Sequence, residues 1–113
     1  MIEKTVVAYL NGILSVPAYM EEPTNKPDEY VVIKTIDDGR IDHIDAVTLN
    51  IRSYSTTLQG AAELNGSVKS AMFDIVTLDN VSSSKCGGGG QAIETSTKRY
   101  GYDCIFNLYY MED

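Results

Sequence analysis

Hydrophobic residues recur every three or four positions in two segments of the chain, which is the period of an amphipathic helix. Residues 2–14 are predicted to form the first helix, and Pro17 prevents its continuation. Residues 57–77 are predicted to form the main helix, with Thr56 or Thr57 as its N-terminal cap. The apolar stripes consist of Ile2, Val6, Tyr9, Leu10 and Ile13 in the first helix and of Ala61, Leu64, Val68, Ala71, Met72 and Ile75 in the second.

Four other segments are rich in β-branched and aromatic residues and are predicted to be strands. Residues 16–21 give a short strand that Pro17 confines to an edge or to a strand start. Residues 29–36 are almost continuously apolar, which is typical of a central strand covered on both faces. Residues 43–54 and 99–111 alternate between apolar and polar positions, as half-buried strands do. One face of the last strand carries Tyr100, Tyr102, Cys104, Phe106, Leu108 and Tyr110.

Turn-forming residues separate these strands. Residues 37–40, Asp-Asp-Gly-Arg, are predicted to form the turn of an antiparallel hairpin, because Asp bonds its own backbone and Gly accepts positive φ. Residues 80–86 and 91–99 are polar strand candidates around the four glycines at 87–90, which are interpreted as a flexible hairpin tip.

The resulting element order is α-β-β-β-α-β-β, with one further strand if both polar candidates form separate strands. It predicts a single α+β domain over residues 1–113, with two helices packed on a mainly antiparallel sheet. The residues predicted to pack together between sheet and main helix are Val47, Leu49, Ile51, Phe106 and Leu108 on the sheet and Leu64, Val68, Met72 and Ile75 on the helix.

Charge and cysteine content narrow the function classes. The chain has 9 basic and 16 acidic residues and a formal charge of −7, which disfavours a nucleic-acid binder because carboxylates repel phosphates. Cys86 and Cys104 lack the spacing and the nearby histidine of a zinc site. They are expected to be reduced, partly buried thiols unless the last two strands bring them together. No signal peptide or membrane helix is predicted, so a cytoplasmic protein is expected.

His43 is the only histidine and therefore the first candidate for catalysis. It lies next to Asp42 and near Asp45, but neighbours in a strand point to opposite faces and the chain has no nucleophile motif. A surface histidine is the preferred interpretation, and no catalytic residue is predicted.

Three other groups could bind a ligand. Residues 87–90 lack the following Lys and Ser/Thr of a phosphate loop, and the tyrosines of the last strand lack the basic groove of a nucleic-acid platform. The third group is an acidic cluster that consists of Asp37, Asp38, Asp42 and Asp45. It lacks the EF-hand spacing, so a solvated acidic turn is preferred over a cation site. The sequence thus predicts no cofactor, no metal and no enzymatic activity.

Four segments define the layout of the chain. They are Val-Val-Ala-Tyr-Leu at 6–10, the Pro-rich loop at 22–28, Tyr-Val-Val-Ile-Lys at 30–34 before an Asp/Gly turn, and residues 49–55, which run directly into an Ala-rich helix. This layout resembles that of small tail terminator or tail completion proteins of long-tailed, siphovirus-like bacteriophages and prophages. The resemblance covers most of the chain and rests on this layout.

The resemblance implies a structural protein that forms a homo-oligomeric ring, usually a hexamer. Such a ring caps the tail tube, stops its polymerisation and offers a surface for head–tail joining. The implied partners are copies of itself, the tail tube protein and a neck or head-completion protein, while DNA passes through without specific binding and no membrane is involved. The implied location is the tail–neck junction of the virion, after assembly in the host cytoplasm. Six copies would carry −42 formal charges (6 × −7), so an acidic lumen would repel DNA.

Contacts between copies are expected where strands are exposed at both ends of the sheet, because a neighbouring chain can complete it. The candidate interface residues are Asp37, Asp38, Arg40, Lys85, Gly87, Gly88, Gly89, Gly90 and Tyr109. The alternative functions are another phage neck or head-completion protein and a small non-phage binding module. An enzyme is the least favoured class.

Overall fold

The computed structural model describes residues 1–41, 43–92 and 99–111. Two α-helices and five strands follow one another in the order α-β-β-β-α-β-β, which confirms the predicted α+β fold. The elements are α1 (Ile2–Ile13), β1 (Ala18–Tyr19), β2 (Tyr30–Ile41), β3 (Ile44–Ser55), α2 (Leu58–Phe73), β4 (Val81–Ala92) and β5 (Tyr100–Tyr110), with a 3₁₀ turn (Asp74–Thr77) after α2. None of the helices in these ranges is long and apolar enough to cross a membrane.

The strands form one sheet in the order β1-β2-β3-β5-β4. β1 runs parallel to β2, and every other neighbouring pair is antiparallel. β1 lies at one edge, as Pro17 led us to expect, because proline has no N–H to donate to a second neighbour. β3 is the central strand, and β4 forms the other edge.

Both helices cover the same face of the sheet. The predicted packing is confirmed, since all nine side chains expected between sheet and main helix belong to one buried cluster. Tyr9 of α1 ties the helices together, because its hydroxyl donates a 2.7 Å hydrogen bond to the carbonyl of Ala71 in α2. Ile13 was expected on the buried stripe of α1 but is exposed, because the helix ends there and the chain departs towards β1.

A smaller buried cluster lies on the opposite face of the sheet, at the β1 end. Tyr30, Val32 and Tyr54 form it, and Tyr19 packs beside them. The rings of Tyr30 and Tyr54 are stacked with centroids 4.6 Å apart, and the Tyr30 hydroxyl donates to Glu22 at 2.9 Å. The loop that contains Glu22 therefore lies against these rings. This explains why the start of β2 is apolar at every position, although β3 rather than β2 is the middle strand.

The predicted turn at residues 37–40 is wrong. These residues continue β2 and pair with β3, and the chain reverses at His43, which has a φ of 70°. A register shift between Thr35 and Asp37 leaves Ile36 as the extra residue of a bulge. Pairing with a long partner strand outweighs the low strand propensity of Asp and Gly, because that propensity is weak and depends on context.

The predicted hairpin tip at the four glycines is also wrong. Residues 87–90 lie inside β4, against β5. Gly88, Gly89 and Gly90 have φ values of 130°, 141° and 151°, which residues with side chains rarely adopt. A Cβ atom at Gly89 would clash with the backbone oxygen of Asp103. The glycines therefore permit a close approach of two strands, and residues 93–98 of the predicted polar strand lie outside the described ranges.

The main helix is slightly shorter than predicted. α2 ends at Phe73, and the last four residues of the predicted helix form the 3₁₀ turn. Thr57 is the cap, because its hydroxyl oxygen accepts a 2.9 Å hydrogen bond from the backbone N–H of Gly60.

Candidate protein interface

The sheet face opposite the helices, beyond the tyrosine cluster, is the first candidate interface, and we call it the uncovered face. Residues directly opposite each other in paired strands point to the same side, so their side chains form rows across β2, β3, β5 and β4. The four rows are Arg52, Asp103 and Gly90, beside the buried Val32 of the tyrosine cluster; Lys34, Asn50, Ile105 and Gly88; Asp37, Thr48, Asn107 and Lys85; and Gly39, Ala46, Tyr109 and Ser83.

Hydrogen bonds join the central residues of two rows. Arg52 donates to both carboxylate oxygens of Asp103, at 2.6 and 2.9 Å. The bond to Asp103 raises the pKa of Arg52 further above its already high value, so the guanidinium stays charged. Thr48 donates to the side-chain oxygen of Asn107 at 2.7 Å. Between these pairs, the buried Oδ1 of Asn50 has no hydrogen-bond partner among the described residues.

A groove of about 250 Å³ runs along the end of the uncovered face nearest the β2–β3 turn. It is lined by residues 37–40 of β2, 46–48 of β3 and 107–109 of β5. The groove brings together four of the candidate interface residues, which are Asp37, Asp38, Arg40 and Tyr109. Arg40 lies 3.7 Å from Asp45, and its exposure makes this a weak ion pair.

The other candidate interface residues lie on β4, away from the groove. Lys85 shares a row with Asp37 but stands at the opposite edge of the sheet. Gly88 and Gly90 belong to the uncovered face, where they leave the surface without side chains. Gly87 sits at a register shift between Cys86 and Gly88. The structure therefore places Lys85 and two glycines on the same face as the groove but does not gather them into one site.

Apolar side chains exposed at both edges of the sheet were missed by the sequence analysis. Beside β4, Phe73 at the end of α2 and Val76 in the 3₁₀ turn are 50% and 44% exposed. Ile13 and Met20, which flank β1 along the chain, are 55% and 39% exposed. The ring of Phe73 packs edge-on against Phe106 with centroids 5.2 Å apart. A signal did exist for Phe73 and Val76, because five of the six residues at 71–76 are apolar, more than one helical stripe can bury.

The residues that could have supported catalysis or metal binding do not converge. His43 is exposed in the β2–β3 turn, and its side chain has no hydrogen bond or ion pair within the described part of the chain. Asp37 points to the uncovered face, whereas Asp45 is opposite Tyr110 on the helix side. Asp42 lies outside the described residues. Within the described ranges, no three His, Cys, Asp or Glu side chains are grouped to hold a metal ion.

The two cysteines differ in exposure, and both are free thiols. Cys86 is exposed on the edge strand, and Cys104 is fully buried in the core. Burial, and to a smaller extent the neighbouring Cys86, raises the pKa of Cys104 to about 12, so this thiol stays protonated at neutral pH.

A comparison with protein-family models finds no match to this chain, and a comparison with curated proteins finds none either. Its function is therefore inferred from its fold and its surfaces.

Proposed function

We propose that this chain is a structural phage assembly protein that forms a ring on the end of a tail tube, as a tail terminator does. The layout of the sequence, which resembles that family, motivates the proposal. The observation that carries it is the exposure of apolar side chains at both edges of the sheet, beside β4 and beside β1. Apolar side chains beside an exposed edge strand favour contact with another protein chain, because such a chain can cover them and pair with the strand at the same time.

A closed ring requires two different surfaces on each copy, because one surface of a copy meets another surface of the next copy. The β4 edge surface consists of β4 with Phe73 and Val76, and the β1 edge surface consists of β1 with Ile13 and Met20. They lie at opposite ends of the strand order. If the β4 edge surface of each copy contacts the β1 edge surface of the next, the copies assemble head to tail. The assembly closes into a ring when a whole number of copies completes one full rotation.

The negative charge of the chain supports a ring through which DNA passes without being bound. Each copy carries a formal charge of −7, so a ring of copies repels the phosphate backbone. We also propose that the chain has no catalytic activity. His43, which is exposed and has no side-chain partner among the described residues, supports this part of the proposal.

The mass of the native assembly tests the ring directly. Native mass spectrometry and sedimentation velocity should reveal a species of about six chains, or a concentration-dependent rise towards it. Phe73→Asp should shift the population to smaller species, because it buries a charge in the contact. Leu58→Asp is the matched control, since Leu58 is also exposed but belongs to neither edge surface.

Binding to partner structures separates a terminator from a neck or head-completion protein. A terminator should attach to the ends of tail tubes purified from the phage or prophage that encodes the chain, whereas a head-completion factor should attach to filled heads. A protein that never exceeds two chains and attaches to neither structure would overturn the proposed function.

A further inference from the structure

Charge is unevenly distributed between the uncovered face and the rest of the molecule. On this face, Lys34, Arg52 and Lys85 outnumber Asp37 and Asp103, which gives +1 (3 − 2). The full chain carries −7, so the remainder carries −8 (−7 − 1). Copies of an acidic protein repel one another. The uncovered face therefore repels a second copy less than the rest of the molecule does on average.

The charges on this face are placed so that the face is complementary to itself. A two-fold axis parallel to the strands, lying between two facing sheets and midway between β3 and β5, exchanges β2 with β4 and β3 with β5. Because the axis is parallel to the strands, each row of one copy lies opposite the same row of the other copy. Asp37 of one copy would face Lys85 of the other, and Arg52 would face Asp103 of the other. Each pairing occurs twice because the contact is symmetric.

The sizes of the facing side chains are also complementary under this two-fold rotation. Tyr109 on β5 would face Ala46 of the other copy on β3, so a large side chain meets a small one. Lys34 on β2 would face Gly88 on β4. The glycine leaves room there for the long lysine side chain, which matters because two packed sheets lie only about 10 Å apart.

We propose that the uncovered face binds a second copy of this chain in a two-fold, face-to-face pair. The pair uses side chains on the uncovered face and leaves the outer backbone edge of β4, Phe73, Val76 and the β1 edge surface free, so it does not rest on the proposed ring. Each copy uses its face once, and association through it stops at two chains. A phosphate backbone is a poorer occupant, because the face offers three cations separated by two carboxylates.

The size of the face sets the strength of the pair. Four strands about 4.8 Å apart and four rows about 6.8 Å apart cover roughly 500 Å² per copy. A stable interface usually buries about 800 Å² per partner. The pair is therefore expected to dissociate on dilution and to form at high protein concentration.

Charge reversal on the uncovered face tests the pairing. The measurement is sedimentation velocity over a range of concentrations, in the Phe73→Asp background so that ring contacts are suppressed. Asp37→Lys or Lys85→Asp alone places like charges opposite each other twice, and we expect each to weaken the dimer roughly tenfold. The double variant should restore it, because it recreates both pairs with reversed sign. Within one copy the two residues are three strands apart, about 14 Å, so the rescue cannot be internal.

Two control variants change net charge by the same amounts elsewhere. Lys4→Glu and Asp79→Lys alter exposed residues outside the uncovered face and should leave the dimer unchanged. An equimolar mixture of the Asp37→Lys and Lys85→Asp proteins should form a species of two chains. The proposal is overturned if the background protein stays a single chain at every concentration, if the double variant is as weak as either single variant, if the controls weaken the dimer equally, or if the mixture grows beyond two chains.

Discussion

Arg52 on β3 and Asp103 on β5 face each other across neighbouring strands, and two hydrogen bonds join the guanidinium to the carboxylate. Both side chains are partly buried, so water competes less for this pair than for an exposed one. The pair also lies between the tyrosine cluster and the polar rows of the uncovered face. The ion pair therefore favours the observed register of β3 and β5 on the uncovered face, whereas apolar packing favours it on the helix-covered face.

Removing the negative partner should destabilise the fold. We expect Asp103→Asn to lower the free energy of unfolding by about 1–2 kcal/mol, because Arg52 keeps its charge but loses its carboxylate. Urea denaturation measures the change. Asp28→Asn is the control at an exposed site and should stay within about 0.5 kcal/mol of the wild type. Equal effects of the two variants would contradict a stabilising role for the pair.

Truncation of the core at Leu49 should have a larger effect. Leu49 is fully buried on β3, beneath α2, and Leu49→Ala should cost about 2–5 kcal/mol of unfolding free energy through lost burial and the cavity left behind. The comparison is Leu58→Ala, which removes the same atoms from an exposed position. A loss below about 0.5 kcal/mol for Leu49→Ala would show that Leu49 does not point into the core beneath α2.

Two glycine substitutions should have opposite signs. Gly89→Ala forces a side chain towards the backbone oxygen of Asp103 at a positive φ, and we expect a loss of at least about 2 kcal/mol. Gly66→Ala adds a methyl group at an open position inside α2, which should stabilise the protein by roughly 0.5–1 kcal/mol. Thermal and urea denaturation of both variants are the measurements. A harmless Gly89→Ala would mean that β4 does not lie so close to β5.

The two thiols should react at very different rates. A small thiol reagent should modify Cys86 rapidly in the native protein, because it is exposed on the edge strand. Cys104 should react only when the fold opens, since burial keeps its thiol protonated and out of reach. Mass spectrometry of protein labelled with and without urea distinguishes the sites. Rapid native labelling of Cys104 would contradict its place in the core.

Stability should fall at alkaline pH. Burial raises the pKa of Cys104 to about 12 in the folded protein, whereas an unfolded thiol titrates near about 8.5. The folded state thus holds a proton that the unfolded state loses, so this stability is complete below about pH 8.5 and declines as pH rises towards 12. Burial likewise raises the pKa of Tyr54 to about 12.

The measurement is the free energy of unfolding at several pH values above 8. Cys104→Ala should flatten the slope between about pH 9 and 12, whatever its effect on stability at pH 7. Cys86→Ala, at the exposed thiol, is the control and should change the slope much less, because burial rather than Cys86 is the main cause of the raised pKa of Cys104. An unaltered slope in Cys104→Ala would show that this thiol does not contribute to alkaline unfolding.

Local patterns in the sequence predicted the core better than the surface. The alternation around Leu49 and the helical spacing around Val68 fix which side chains face inward, because burial imposes those periods directly. The local preferences of Asp37 and Gly89 predict turns at both positions. In the structure both residues lie in strands, because pairing with β3 and β5 decides their conformation. The rows of the uncovered face depend on strand register, and no local pattern specifies which β5 residue lies beside Thr48.

The edge strand β4 has a consequence for how the protein behaves when concentrated. Register shifts between Val81 and Ser83 and between Cys86 and Gly88 interrupt its backbone ladder. Amyloid fibrils grow from uninterrupted strands of roughly six residues whose side chains interlock. β4 offers only the shorter runs 83–86 and 88–92, and the second is mostly glycine with nothing to interlock. The exposed edge is thus poorly suited to templating a fibril, even where many copies are crowded together.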